Sequence, residues 1–255
     1  MPSAQPATKA DEFLTQLETV AHAPVLNEVE LRRIARAADT LMDTDAAGAH
    51  SLLGGVAALR GDADAVHRHY RIAFQNDRAV TVRLNYCVAL SVLELRDEAL
   101  EVATEALDRY PGDLDLLGSA INSATGSGRF AVAQELVERW NALVPDRPHP
   151  FALVVRQLVA AVDAGAFSED GVQAVLRIVA EVQREERVRT FETTIRSVEL
   201  DGSFLYDRRV HAPPSVAAML NERIADRITE SRTLMADPGL KFVPAFTGMI
   251  ADGYA

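Results

Sequence analysis

Four groups of residues in this chain have types that could do chemistry, and spacing decides what each can do. His67-Arg68-His69, with Asp62 and Asp64 just upstream, has the donors of a metal site. In a helix, residues i and i+2 point in different directions. His67 and His69 therefore cannot share one ion, and the segment reads as a polar helix face. Cys87 is the single cysteine, a nucleophile if a histidine lay beside it. Ala124-Thr125-Gly126-Ser127-Gly128-Arg129 resembles a phosphate loop, but it lacks the Gly-Lys-Ser/Thr ending and follows a helical pattern. The densest polar run is Tyr206, Asp207, Arg208, Arg209 and His211. On a strand Asp207 and His211 share a face, which makes them a candidate acid–base pair. Nothing supplies a third group, so a solvated sheet edge or a partner surface is the simpler reading. No catalytic residue, cofactor or metal is expected from these groups.

Composition narrows the class. The chain has 255 residues, with 26 Lys and Arg against 37 Asp and Glu, a net charge of −11. That balance argues against a general nucleic-acid binder, whose footprint is basic. It suits a basic protein partner. No apolar run approaches the roughly 20 residues of a membrane span, so no membrane association is expected. The first ten residues carry no apolar leader region and read as a disordered tail; with one cysteine, a cytoplasmic protein is expected. Alanine is abundant, at 41 residues, and favours helix because it loses no side-chain entropy there.

Helical periodicity runs from about residue 11 to 187. One amphipathic stretch spans Asp11 to about Ala21. The next opens at Asn27, a helix-capping residue with Glu30 three positions on, and continues through Leu31, Ile34, Ala38 and Leu41. Three segments then align: Gly54–Arg78, Cys87–Pro111 and Ile121–Pro145. Their second helices carry Val66, Tyr70, Ala73 and Arg78; Ala99, Ala103, Ala106 and Pro111; and Ala133, Val137, Trp140 and Pro145. The spacing is 33 from Val66 to Ala99 and 34 from Ala99 to Ala133, the period of a helix-turn-helix solenoid. Gly61 and Gly128 fall at the same place, the turn between paired helices. Small residues (Gly54, Ala73, Cys87, Ala99, Ala106, Ala133) let the pairs approach, which accounts for Cys87 as a small buried hydrophobe. Residues 149–186 form one more helix pair, with Gly165 ending the first helix and Ser168 capping the second.

These segments resemble the tetratricopeptide repeat family over residues 47–146. The best match is Asn85-Tyr86-Cys87, Asp97-Glu98-Ala99-Leu100, Glu105-Ala106-Leu107 and Tyr110-Pro111, with Gly54 and Gly61 in the first copy and Gly128, Phe130 and Pro145 in the third. The chain departs from the family at His50, Arg83 and Leu117, where a large aromatic is usual. The resemblance implies an α-solenoid of antiparallel helix pairs whose inner helices line a groove. The residues expected to be exposed there are Ser51, Gly55, Thr81, Leu84, Val88, Asp115, Asn122 and Thr125. Members that clamp a peptide carboxylate use Lys and Arg along the groove; this one has no Lys, so a neutral or apolar peptide, or the chain's own C-terminal arm, suits it better.

The pattern changes near Arg187. Thr190, Thr193, Thr194, Ile195 and Val198 replace alanine, Asp201-Gly202 follows, and Phe204, Leu205, Tyr206 and Val210 come next. Asp-Gly between two such runs signals a hairpin, and a two-residue loop would pair Leu200 with Ser203 and Arg196 with Asp207. Pro213-Pro214-Ser215 opens a helix to about Met235, broken at Asp237-Pro238-Gly239. The apolar end, Leu240 to Phe246, adds a third strand or docks as an extended arm. The expected organisation is thus a tail (1–10), a helical repeat domain (11–187) and a C-terminal hairpin-plus-helix module (188–255), with deletion of the module leaving a folded solenoid.

This mainly helical architecture is expected to serve as a non-catalytic scaffold or adaptor for a protein or peptide, through the groove, the C-terminal module, or both. The alternatives are an acidic inhibitor of immunity or antitoxin type acting on a basic partner, and an enzyme using the hairpin. The hairpin's edge strand can also pair with another chain, giving a homodimer through the module.

Overall fold

The computed structural model describes residues 8–77, 79–198, 202–231, 234 and 241–249. The expected tail over 1–7, Arg78 of the first copy, Leu200 and Asp201 of the hairpin, and the break at Asp237-Pro238-Gly239 lie outside them. The chain divides into two compact units, Met1–Leu93 and Glu94–Ala255. The division lies inside the middle repeat copy.

The first unit is five helices: α1 (Lys9–His22), α2 (Glu28–Leu41), α3 (Ala46–Leu59), α4 (Ala63–Asn76) and α5 (Val80–Val92). Short polar side chains start four of them. Thr8 and Asp11 form a reciprocal capping box, and Asn27, Asp45 and Asp62 accept from first-turn amides, each cap contributing about 1 kcal/mol. The helix therefore begins at Lys9, two residues before the sequence reading placed it. Leu17 and Val20 of α1, Leu31 and Ile34 of α2, and Leu52 and Val56 of α3 make one core. Helices α3 and α4 approach closely because position 54 has no side chain: a Cβ there would meet the Tyr70 ring at 2.5 Å. Tyr70 is fully buried, and its hydroxyl donates to the Ser51 carbonyl at 3.4 Å.

The second unit contains α6 (Arg96–Arg109), α7 (Leu114–Gly126), α8 (Phe130–Leu143), α9 (Ala152–Asp163) and α10 (Glu169–Glu185), then β1 (Thr190–Ser197), β2 (Phe204–Val210), α11 (Pro214–Glu230) and β3 (Phe242–Gly248). Asp113 caps α7 and Ser168 caps α10. Ties recur at one sequence separation. Arg129 Nε meets Asp97 Oδ1 at 2.8 Å, and Arg139 donates to the Leu107 carbonyl at 3.4 Å; in the first unit Arg60 meets Glu28 at 3.0 Å across the same separation. Both units are thus consecutive helices packed on their neighbours.

The C-terminal residues form a three-stranded sheet of order β1-β2-β3, β1 antiparallel and β3 parallel to β2. The apolar arm is therefore a strand of this sheet, with α11 as the crossover that a parallel pair requires. The register differs from the expectation: Arg196 lies opposite Leu205, and Thr194 opposite Asp207. Val198 N donates to Ser203 O at 2.7 Å, so the connection is longer than two residues. Gly202, at φ +70, takes the left-handed conformation and donates to Val198 O at 3.0 Å. A shift of two residues leaves every side chain on its original face, which is why the apolar pattern could not choose between the registers.

The sheet is not an independent module. Phe204, Tyr206, Phe242 and Phe246 share one core with Phe130 of α8, Leu158 of α9, Phe167, and Val175 and Val179 of α10. Phe167 packs edge-on against Phe130, Phe204 and Phe242 at centroid distances of 6.4, 5.8 and 6.1 Å. The change of composition near Arg187 marks a change of secondary structure and not an edge of the core.

Candidate functional site

The residues expected along the groove fall into two classes. Thr81 and Val88 of α5 and Asp115 and Asn122 of α7 are exposed, and Leu84 is half-buried. Ser51 and Thr125 are not available, each being 1% exposed. Thr125 Oγ1 donates to Ile121 O at 2.7 Å, a local bond that lets a hydroxyl sit in the interior. Gly55 is covered by Leu17 of α1, so in the first unit the chain's own first helix occupies that surface. What stays open on α5 is Thr81, Leu84, Val88 and Val92, a row spaced three, four and four residues apart and therefore on one helix face. Val88 is 53% and Val92 38% exposed.

The hairpin cluster divides by strand alternation. Tyr206 and Arg208 point inward and are fully buried, whereas Asp207 and Arg209 lie on the other face and are half-buried. The expectation of one solvated cluster thus fails for Tyr206 and Arg208, because β2 is amphipathic with an arginine in an inward slot. Asp207 Oδ1 accepts from Thr247 Oγ1 at 2.7 Å, and the His211 ring lies tilted against Phe191 at a centroid distance of 4.8 Å.

Arg208 points into a buried polar cluster of the second unit. Its Nη2 meets Glu94 Oε2 at 2.7 Å, its Nη1 donates to Gln183 Oε1 at 2.5 Å, and its Nη2 donates to the Tyr206 hydroxyl at 2.8 Å. Glu94 also accepts from Arg96 Nε at 3.1 Å and from Gln183 Nε2 at 3.3 Å. Burial opposes ionisation of Glu94, but the charges of Arg208 and Arg96 outweigh it, and the carboxyl titrates below its ordinary range. Burial likewise pulls Arg208 down, and Glu94 and Tyr206 together more than reverse it. Both groups are therefore charged at neutral pH. The paired charges clamp the turn at Glu94 to the inward face of β2. A pocket of about 40 Å³ opens beside it, lined by Glu94, Arg96, Gly126, Ser127, Gln173, Arg177 and Arg208 among others, with room for little more than water.

The backbone explains why the acid sits at position 94. The turns at Gly61, Gly128 and Gly165 are left-handed, with φ of +76, +79 and +71. Glu94 has φ +57 and stands 33 residues after Gly61 and 34 before Gly128. It fills the slot that glycine fills in the other turns. A non-glycine residue there costs about 1–2 kcal/mol, and each hydrogen bond to a charged group contributes about 1.5–3 kcal/mol, so two of its bonds suffice to hold it. The repeat period points to this slot from sequence alone. Its partner Arg208 could be found only by reading the alternation of β2 as an inward charge.

In the first unit the histidines separate. His69 Nδ1 lies 3.0 Å from His50 Nδ1, and His67 Nδ1 lies 2.7 Å from the Tyr86 hydroxyl. One ring of the His50–His69 contact donates and the other accepts, so at least one is neutral. Burial holds both below the ordinary histidine value, and for His69 the charges of His50 and Arg68 add to that while Asp62 opposes it. Among the described residues no three His, Cys, Asp or Glu side chains converge on a metal-sized site. Cys87 on α5 is fully buried. Among the described residues no helix is long and apolar enough to cross a membrane. Comparison with protein-family models, with curated proteins and with solved structures found no match for this chain.

Proposed function

We propose that this chain is a non-catalytic protein-binding protein of the tetratricopeptide-like class, a scaffold or adaptor that holds an apolar segment of a partner. The observation that carries the reading is the row Thr81, Leu84, Val88 and Val92, a largely apolar face left open to solvent among the described residues, on a helix whose other side is committed to the core. Single exposed apolar residues are ordinary, but three on adjacent turns of one face offer a continuous strip for an amphipathic helix or extended peptide. The helix hairpins with left-handed turns at Gly61, Glu94 and Gly128 support the family resemblance.

The test is a photo-crosslinking residue at position 88, in the host cell, against the same residue at the exposed position 64 on α4. The reading expects a saturable, single-protein adduct at 88, absent at 64 and lost on Val92→Asp, a change on the same exposed row. Equal labelling at both positions, or none, overturns it. One observation favours the acidic-inhibitor alternative: Glu101, Glu105 and Asp108 line an exposed face of α6. A partner held there would be basic, and its binding would weaken steeply with salt, whereas a partner on the α5 row would hold in salt.

A further inference from the structure

The two edges of the sheet are treated differently. Along β3, Phe246 N donates to Asn221 Oδ1 at 2.7 Å and Asn221 Nδ2 donates to Phe246 O at 3.0 Å. The Asn221 side chain of α11 thus takes the place of a neighbouring strand, and Pro244 on β3 has no amide hydrogen to offer. That edge is closed by two of the devices that prevent strand addition. Strand β1, at the other edge, has eight residues with no proline and no lysine, and only a bulge between Thr190 and Glu192 at its start.

We propose that β1 is a self-recognition edge: two copies of this chain pair antiparallel through β1 about a two-fold axis at Thr194, joining two three-stranded sheets into one of six strands. The proposal does not depend on the α5 row. Val198 directs its N–H and C=O to the β2 side, and alternation then turns those of Thr193, Ile195 and Ser197 to the open edge. With the axis at Thr194, Thr193 of one copy exchanges its backbone bonds with Ile195 of the other, twice. On the outer face the same register sets Glu192 opposite Arg196 of the second copy, also twice. An axis at Thr193 or Ile195 puts neither pair together. Glu192 and Arg196 are both exposed. Arg196 makes no ion pair with the described residues, while Glu192 already holds Arg209 at 2.8 Å, so the second copy's Arg196 would complete a charge row on the outer face. Opposite charges directly across an antiparallel pair favour it, and like charges disfavour it.

Sedimentation of the full chain over a wide concentration range tests this. The wild type is expected to dimerise reversibly. Arg196→Glu makes both outer pairs acidic and Glu192→Arg makes both basic, so each variant alone should weaken dimerisation by roughly tenfold or more, with an unchanged circular-dichroism spectrum. Mixed together they recreate both opposite-charge pairs, and a heterodimer should form. A wild type that is monomeric at every concentration overturns the proposal. So does a dimer indifferent to Arg196→Glu, or a mixture of folded variants that fails to associate.

Discussion

The Glu94 carboxylate and the Arg208 guanidinium meet at 2.7 Å with side-chain exposures of 4% and 1%, joining a helix-hairpin turn to the central strand of the sheet. Such a pair gives little net stability over apolar residues of the same volume, but losing one member strands a buried charge. Removing Arg208 with Arg208→Ala should therefore cost about 3–5 kcal/mol. At position 94 the backbone adds a second signature. Glu94→Gly keeps the left-handed turn without strain, so it should be less damaging than Glu94→Ala by about 1 kcal/mol. Trp140, the single tryptophan, lies in the same unit, and its fluorescence in a urea titration reads these changes. An alanine variant as stable as the glycine variant would show that the turn is not strained.

Much of this was legible in the sequence, and the exceptions have physical causes. The period from Val66 to Ala99 to Ala133 located α4, α6 and α8, and all three residues are fully buried. Asn27 and Ser168 were readable as caps because capping is local. The clamp was not, because its members come from distant parts of the chain and each looks like a surface residue by type. Thr125 is buried against the groove expectation because its hydroxyl bonds within its own helix, and Ser51 because a side chain that small packs in the core even with its hydroxyl unbonded among the described residues. Gly55 was misplaced because the packing of α1 over α3 is a tertiary fact that no period within the repeats encodes.

The shared aromatic core reverses the expectation for truncation. Deleting residues 188–255 would uncover Phe130, Phe167, Val175 and Val179, which pack in one cluster with Phe204, Tyr206 and Phe242. Each large apolar side chain loses about 1.5–3 kcal/mol when exposed, so several at once exceed the stability of an ordinary domain. A chain ending at residue 187 should show no cooperative Trp140 transition and should bind a hydrophobic dye. A sharp transition at the full-length midpoint would restore the picture of two independent parts.

The first unit should weaken in mild acid. Burial holds His50 and His69 below the ordinary value of 6.5 in the folded chain, so the unfolded chain binds protons more readily. The stabilisation is present above pH 6.5 and is lost as the pH falls from there through the folded values. The window for Glu94 lies lower. Its folded carboxyl is held below 4.5, so its contribution disappears only as the pH drops beneath that value. Replacing His69 with Gln should flatten the midpoint between pH 7 and 5 while leaving the more acidic loss in place. An unchanged slope would mean that the imidazole contact does not couple to folding.

Cys87 gives a readout of the first unit that Trp140 cannot. Its side chain is fully buried. A disulfide reagent should therefore label it only when the unit opens, at a rate set by the opening equilibrium. Dithiodipyridine reacts in acid as well as at neutral pH, so the same reagent can follow the histidine effect. Labelling should accelerate below pH 6.5 in the wild type and less so in His69→Gln. Gly54→Ala should accelerate it at every pH, because a methyl group there collides with the Tyr70 ring and overpacking costs about 1–3 kcal/mol. Rapid labelling of the untouched wild type at neutral pH would instead place Cys87 on an accessible surface and reopen the question of its chemistry.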